Sequence, residues 1–179
     1  MFPDWPNRST PSGTTRWLFT ALLGGAISVW AAHPLPVGAQ SAKSDEDRLL
    51  LGTWKLNLAK SKYRSGPPPQ SQTRTYESQG ESVKATIHTT YADGRSTTVG
   101  YVANYDSLEY AVSGSPDADT IALKRVAPRI AEATLMHAGR IIATASRVIS
   151  DDGNMLTITY QGMQLGTQVD YIAVYDKQK

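Results

Sequence analysis

The sequence predicts an all-β protein: a single antiparallel, up-and-down β-barrel of about ten strands, preceded by a signal peptide. Three observations predict it. From Gly52 onward, short runs alternate apolar and polar residues with period two, the mark of strands buried on one face. Gly, Asp, Asn and Pro punctuate these runs closely, as in a meander of hairpins. No stretch of this region has the apolar spacing of an amphipathic helix of about ten residues or more. A closed barrel is favoured over a sandwich because closure removes exposed strand edges.

The elements follow in chain order. Arg8 and Arg16 precede a largely apolar stretch from Trp17 to Ala32, broken by His33, Pro34 and Pro36. Val37-Gly38-Ala39 then has the small residues that a signal peptidase reads. Residues 1–39 are therefore expected to be a signal peptide cleaved after Ala39, with export to the periplasm or the exterior. The alternative is a retained anchor, but Trp17 to Ala32 is shorter than the roughly 20 residues of a spanning helix. Once it is cleaved, no integral membrane span is expected. Residues 40–48 are polar and read as a flexible N-terminal tail. Asp45-Glu46-Asp47 would suit either that tail or one turn of helix, since acids favour a helix N-terminus. Residues 49–179 form the barrel domain, opening with the apolar Leu49-Leu50-Leu51.

Thr53 to Leu58 and Gln72 to Glu77 are the first two strands, joined through the stiff Gly66-Pro67-Pro68-Pro69. In the third, Val83, Ala85, Ile87, Thr89 and Tyr91 share one face. Ala92-Asp93-Gly94 turns into a run with Val99, Tyr101, Ala103 and Tyr105 on one face. Leu108 to Val112 is short. Thr120 to Val126 puts Ile121, Leu123 and Arg125 on one face, and Ile130 to Leu135 follows Pro128. After Ala138-Gly139, Ile141, Ala143, Ala145, Arg147 and Ile149 share a face. Asp151-Asp152-Gly153-Asn154 turns into Met155 to Gln161, and Thr167 to Asp176 ends the series.

Composition limits function. The chain has 179 residues, 40% hydrophobic and 19% charged, a globular balance. Eighteen basic and 16 acidic residues give a formal charge of +2, so no nucleic-acid partner is expected. Cysteine is absent, which excludes disulfides, thiolate catalysis and Cys-ligated metals. His88 and His137 lack ligand spacing, so no metal and no cofactor is expected. Asp117, Asp119, Asp151 and Asp152 lie in turns and do not match a calcium loop, so they read as turn residues. No nucleophile elbow, P-loop or dinucleotide fingerprint occurs.

Two short motifs carry a resemblance. Gly52-Thr53-Trp54-Lys55-Leu56 resembles the Gly-x-Trp opening of the calycin superfamily, which holds lipocalins and fatty-acid-binding proteins. Val174-Tyr175-Asp176-Lys177 is similar to the last strand of the fatty-acid-binding branch. A closer resemblance covers nearly all of residues 50–178. GTWKLNLAKSKY (52–63), YDSLEYAVSGSPDADTIALKR (105–125), SRVISDDGNMLTITYQG (146–162) and VYDKQ (174–178) look like a group of uncharacterised secreted bacterial lipocalin-like proteins. The resemblance implies a ligand-sized barrel and assigns Trp54 as the plug of its base. It does not imply a fatty-acid clamp: the Arg expected two residues before Tyr175 is Ala173. The gap between Ala59 and Ser71 is also too short for a helical lid.

Arg125 and Arg147 are the leading candidates for chemistry. A guanidinium on an inward face needs an acidic partner, because a buried unpaired charge is costly. That partner is either an acidic ligand held by the Arg fork, or an internal carboxylate such as Glu132 or Asp170. Tyr105, Tyr160 and Tyr175 are further candidate ligand contacts, since Tyr joins apolar area to a hydroxyl. The leading expectation is an exported barrel that binds a small hydrophobic or amphipathic molecule, acidic if it meets the arginines. Two alternatives stand beside it: a structural or envelope-associated barrel with a filled interior, and a cavity enzyme of isomerase or cyclase type.

Overall fold

The structure, a computed structural model, describes residues 45–179, with side chains from Arg48 onward. The expected signal peptide, residues 1–39, and the start of the tail, residues 40–44, lie outside the described residues. The rest of that tail, Asp45 to Arg48, belongs to a short helix, α1 (Asp45–Leu50). Ten strands follow: β1 (Gly52–Tyr63), β2 (Ser71–Gln79), β3 (Ser82–Thr90), β4 (Ser96–Ala103), β5 (Asp106–Ser113), β6 (Thr120–Ala127), β7 (Ile130–His137), β8 (Arg140–Ile149), β9 (Met155–Gln164) and β10 (Thr167–Lys177). Each pairs antiparallel with the next, and β10 returns to β1, so the sheet closes as a barrel. Among the described residues no helix is long and apolar enough to cross a membrane.

Alternation decides which residues point inward. In β3, Val83, Ala85, Ile87 and Thr89 are buried while Lys84 and His88 face solvent. In β10 the buried set is Val169, Tyr171, Ala173 and Tyr175. Because successive side chains take opposite faces of a strand, these sets were readable locally.

Four register shifts interrupt the pattern, one of them in β5 between Asp106 and Glu109. Opposite Ala173, β1 carries all of residues 58–61 between the register pairs Asn57–Val174 and Lys62–Ile172. Ser61 closes this bulge, donating its hydroxyl to the Asn57 carbonyl at 2.7 Å and accepting the Val174 N–H at 2.9 Å. The strand therefore runs on to Tyr63, beyond the Leu58 expected from alternation. In β6 an extra residue between Arg125 and Ala127 leaves Val126 51% exposed. In β8 an extra residue precedes Ala143, so Ile141 does not share the Arg147 face: it is 68% exposed. A bulge inverts the alternation on one side of itself, and nothing in the local composition marked these two.

The base of the barrel is closed by α1 and the first turn of β1. Trp54 is fully buried and donates its indole N–H to the Leu50 carbonyl at 2.8 Å. Lys177 Nζ lies 5.1 Å from the Trp54 ring centre and donates to the Leu49 carbonyl at 2.7 Å. The opposite end, the mouth, is formed by residues 64–70, 91–95, 114–119, 138–139 and 165–166. Asp117 ties two of these loops, accepting the Leu165 N–H at 2.7 Å. Asp119 accepts the Ala138 N–H at 2.8 Å, and Asp152 accepts the Asn154 N–H at 3.1 Å. These carboxylates are turn residues, as their composition suggested. β4 and β5 share the shortest ladder, Gly100–Ser113 and Tyr101–Val112. Gly114 seals that seam: at φ +71°, any Cβ there would sit 2.0 Å from the Thr98 carbonyl oxygen.

Candidate functional site

The upper barrel encloses a cavity of about 150 Å³. Its apolar wall includes Ile87, Val99, Ile121, Leu123 and Ile158. Space exists because Ala131, Ala133 and Ala145 occupy inward positions on β7 and β8. The remaining wall is polar, with the guanidiniums of Arg147 from β8 and Arg74 from β2 and the carboxylates of Asp117 and Glu132.

Arg147 is 8% exposed. It donates through Nη2 to the Tyr105 hydroxyl, and its Cζ lies 5.4 Å from the ring centres of both Tyr76 and Tyr105. Burial works to lower its pKa, but the surrounding tyrosines 105, 76 and 101 favour the cation, which stays charged. Arg74 donates its Nε–H to Gln72 Oε1 at 3.1 Å, and its Cζ lies 5.1 Å from the Tyr175 ring centre. Gln72, itself buried, also accepts the Tyr175 hydroxyl and donates to Thr89 Oγ1 at 2.7 Å.

Neither guanidinium faces a carboxylate. The groups acting on Arg147 and Arg74 are tyrosines. The two internal acids that could have paired with Arg147 are engaged elsewhere or face out. Asp170 pairs with Arg64 at 3.1 Å; Glu132 lines the cavity but is exposed, and Asp117, also on its wall, accepts the Leu165 N–H. The cavity thus joins an apolar wall to two guanidiniums whose hydrogen bonds go to Tyr105 and Gln72.

The other anticipated residues are placed as follows. Arg125 is half-buried and does not line the cavity; its Cζ stacks 4.2 Å from the Tyr105 ring centre. Tyr105 accordingly touches both arginines by its ring and accepts from Arg147. Tyr160 lines the cavity with its ring, while its hydroxyl donates to the Met163 carbonyl at 2.8 Å. Burial pushes the Tyr160 pKa up to about 12. Tyr175 is buried and lines not this cavity but a second recess nearer the mouth. Only Arg147 and Tyr160 of the five anticipated ligand residues therefore reach the cavity itself.

Alternation along β2 carried a signal that was passed over. Gln72, Arg74 and Tyr76 occupy every second position, and an inward Tyr76 carries Arg74 inward with it. Tyr76 is 2% exposed. Burial alone would raise its pKa, but Arg74 and Arg147 together favour the phenolate, and the net effect is a lowered value. Tyr101, also on the cavity wall, is raised by burial.

The second recess, of about 220 Å³, opens at the mouth between the Pro67–Pro69 segment and β10. It shares Gln72, Tyr91, Gln164 and Tyr171 with the inner cavity. Three rings line this passage. Tyr160 and Tyr171 stack at 5.1 Å and 6°, and Tyr63 meets Tyr171 at 5.2 Å and 32°.

No known protein family and no curated protein matches the chain. Several solved β-barrels do. Rv2717c from M. tuberculosis is 18% identical over 73% of this chain and 94% of its own, with a TM-score of 0.48. A redesigned β-barrel is 11% identical over 75% of this chain and 96% of its own, at 0.46. Zebrafish ileal bile acid-binding protein, complexed with cholic acid, is 10% identical over 73% of this chain and 99% of its own, at 0.43. Likeness at this level fixes neither family nor function.

Proposed function

We propose that the barrel binds a small amphipathic acid, with its anionic group at Arg74 and Arg147 and its apolar part against Ile87, Val99 and Ile158. One observation carries this reading: the buried Arg147 and the half-buried Arg74 line one cavity, and their hydrogen bonds go to Tyr105 and Gln72, not to a carboxylate. A buried cation without a counter-charge is costly, and an acid entering the cavity relieves that cost. A charge-assisted hydrogen bond contributes about 1.5–3 kcal/mol. A cavity near 150 Å³ has room for a molecule of about benzene size, so the inner compartment suits a compact acid. The leader-like composition of segment 1–39 supports export as part of this reading.

Titration calorimetry of the full chain with phenylacetate and octanoate, against 2-phenylethanol and 1-octanol, tests the reading. The acids should bind at least about tenfold tighter than the alcohols, the lower end of the charge-assisted range. Arg74→Met should erase that preference while leaving the alcohols unchanged. Equal binding of acids and alcohols would overturn it.

The cavity-enzyme reading has one observation in its favour. Tyr76 lies on the cavity wall with Arg147 5.4 Å from its ring, and its pKa is lowered. A phenol of lowered pKa among cations suits proton abstraction next to a carbonyl, with the guanidiniums stabilising the enolate. Proton–deuterium exchange at the α-carbon of a bound β-keto acid, lost in Tyr76→Phe, would be its signature.

A further inference from the structure

The inner cavity accounts for one charged group and a small apolar body. The mouth recess has a different chemistry. Its walls include the rings of Tyr63, Tyr91 and Tyr171 and the pyrrolidines of Pro67 and Pro69, with Ser65, Gln72, Gln164 and Thr167 adding neutral polar groups. The proline segment is held close over β10. Gly66 takes φ +77°, and a Cβ there would lie 3.3 Å from the Val169 side chain. The charged residue on the recess is Arg95, 65% exposed and paired with Asp93 at 2.7 Å. The recess therefore presents flat ring and proline surfaces beside neutral polar groups, and no buried charge among its described lining residues.

Tyr63, Tyr171 and Tyr160 form a column that joins the two compartments. It ends on Tyr63 in the recess and on Tyr160 in the cavity, with Tyr171 on the wall of both. Close-packed rings in offset or tilted contact accept a further ring more favourably than a flexible chain of equal area. An alkyl tail would also lose rotamer freedom against these walls, which a rigid ring does not.

We propose that the mouth recess is a second subsite that takes a flat aromatic ring continuing the Tyr63–Tyr171–Tyr160 column. The ligand class is then an aryl-bearing acid, its charge inward and its ring system outward. This rests on the acid-binding reading for the inner end only.

The test uses the full chain and two matched pairs of probes: 2-naphthylacetate and decanoate, and 2-naphthaleneethanol and 1-decanol. Calorimetry should give the naphthyl member of each pair roughly a three- to tenfold advantage, the range for one aromatic pair. Tyr63→Leu should remove that advantage, while Tyr63→Phe should retain it. The bound naphthyl chromophore should show red-shifted, weakened absorption from stacking, and this decides the matter in the native chain if Tyr63→Leu does not fold. Equal affinity within each pair, or an unshifted spectrum, would overturn the proposal. The two readings fail separately. If acids do not exceed alcohols but the naphthyl preference stays dependent on Tyr63, the inner anion site falls and the aromatic subsite stands.

Discussion

Replacing Arg147 by Met should separate a ligand-binding guanidinium from a structural one, because the two roles predict opposite outcomes. Met keeps the length and apolar volume of the side chain and removes the charge. What the folded protein loses is one hydrogen bond to the Tyr105 hydroxyl, about 1.5–3 kcal/mol for a charged donor. It also loses two ring contacts at 5.4 Å, near the outer limit of a useful cation–π distance and worth about 0.5 kcal/mol each. Against this stands the cost of burying a guanidinium that is 8% exposed, several kcal/mol per ion after relaxation. The terms nearly cancel, so stability should change by no more than about 2 kcal/mol and Tm by less than about 8 °C. Binding of octanoate should instead weaken by about 1.5–3 kcal/mol, on the order of 10- to 150-fold. Near-UV circular dichroism melts and calorimetry on the full chain read the two quantities. A fall in Tm well beyond that range with unchanged octanoate affinity would make Arg147 an internal strut and refute the reasoning.

Two further outcomes follow from the packing. Burial raises the pKa of Tyr63, Tyr101, Tyr160, Tyr171 and Tyr175, with Tyr160 at about 12. Each raised tyrosine contributes stability that is fully present below about pH 10, the unfolded value, and is lost as pH rises through the folded value. The hydrogen bond to Asp106 raises Tyr110 as well, whereas Tyr76 is lowered and its contribution runs the other way, one residue against six. Absorbance at 295 nm should show an early tyrosine followed by a cooperative alkaline transition between about pH 10 and 12, and nine tyrosines titrating together with the fold intact would contradict this. At the base, Trp54→Ala should cost about 3–5 kcal/mol, because it empties a fully buried site and frees the Leu50 carbonyl. Trp54→Phe should cost less than half of that; urea titrations with an unchanged m-value give both numbers.

Much of the fold was legible because strand faces are a local property. Consecutive side chains point to opposite sides of a strand, so the buried sets of β3 and β10 could be read residue by residue. Turn chemistry was equally local, and the loops around Gly94, Gly139 and Gly153 fall where Gly and Asp place them. Asp45 to Arg48 was ambiguous between tail and helix, and packing of Leu49 and Leu50 on the base decided for helix. The bulges near Ser61, Val126 and Ile141 were not legible, since each is a mismatch between two strands and not a property of either.

By itself the sequence determined the all-β class, the count of about ten strands, their antiparallel order and the shared face of Ala143, Ala145 and Arg147. The tertiary structure alone decided what Arg147 faces. Arg74 comes from β2 and Arg147 from β8, and only closure of the sheet brings both onto one cavity with Tyr76. The same closure leaves Arg125 on Tyr105, outside the cavity, and directs Tyr175 to the recess at the mouth. The physical reason is that period two fixes the face of a side chain, whereas its height and its partners across a barrel depend on stagger and register summed around the whole sheet.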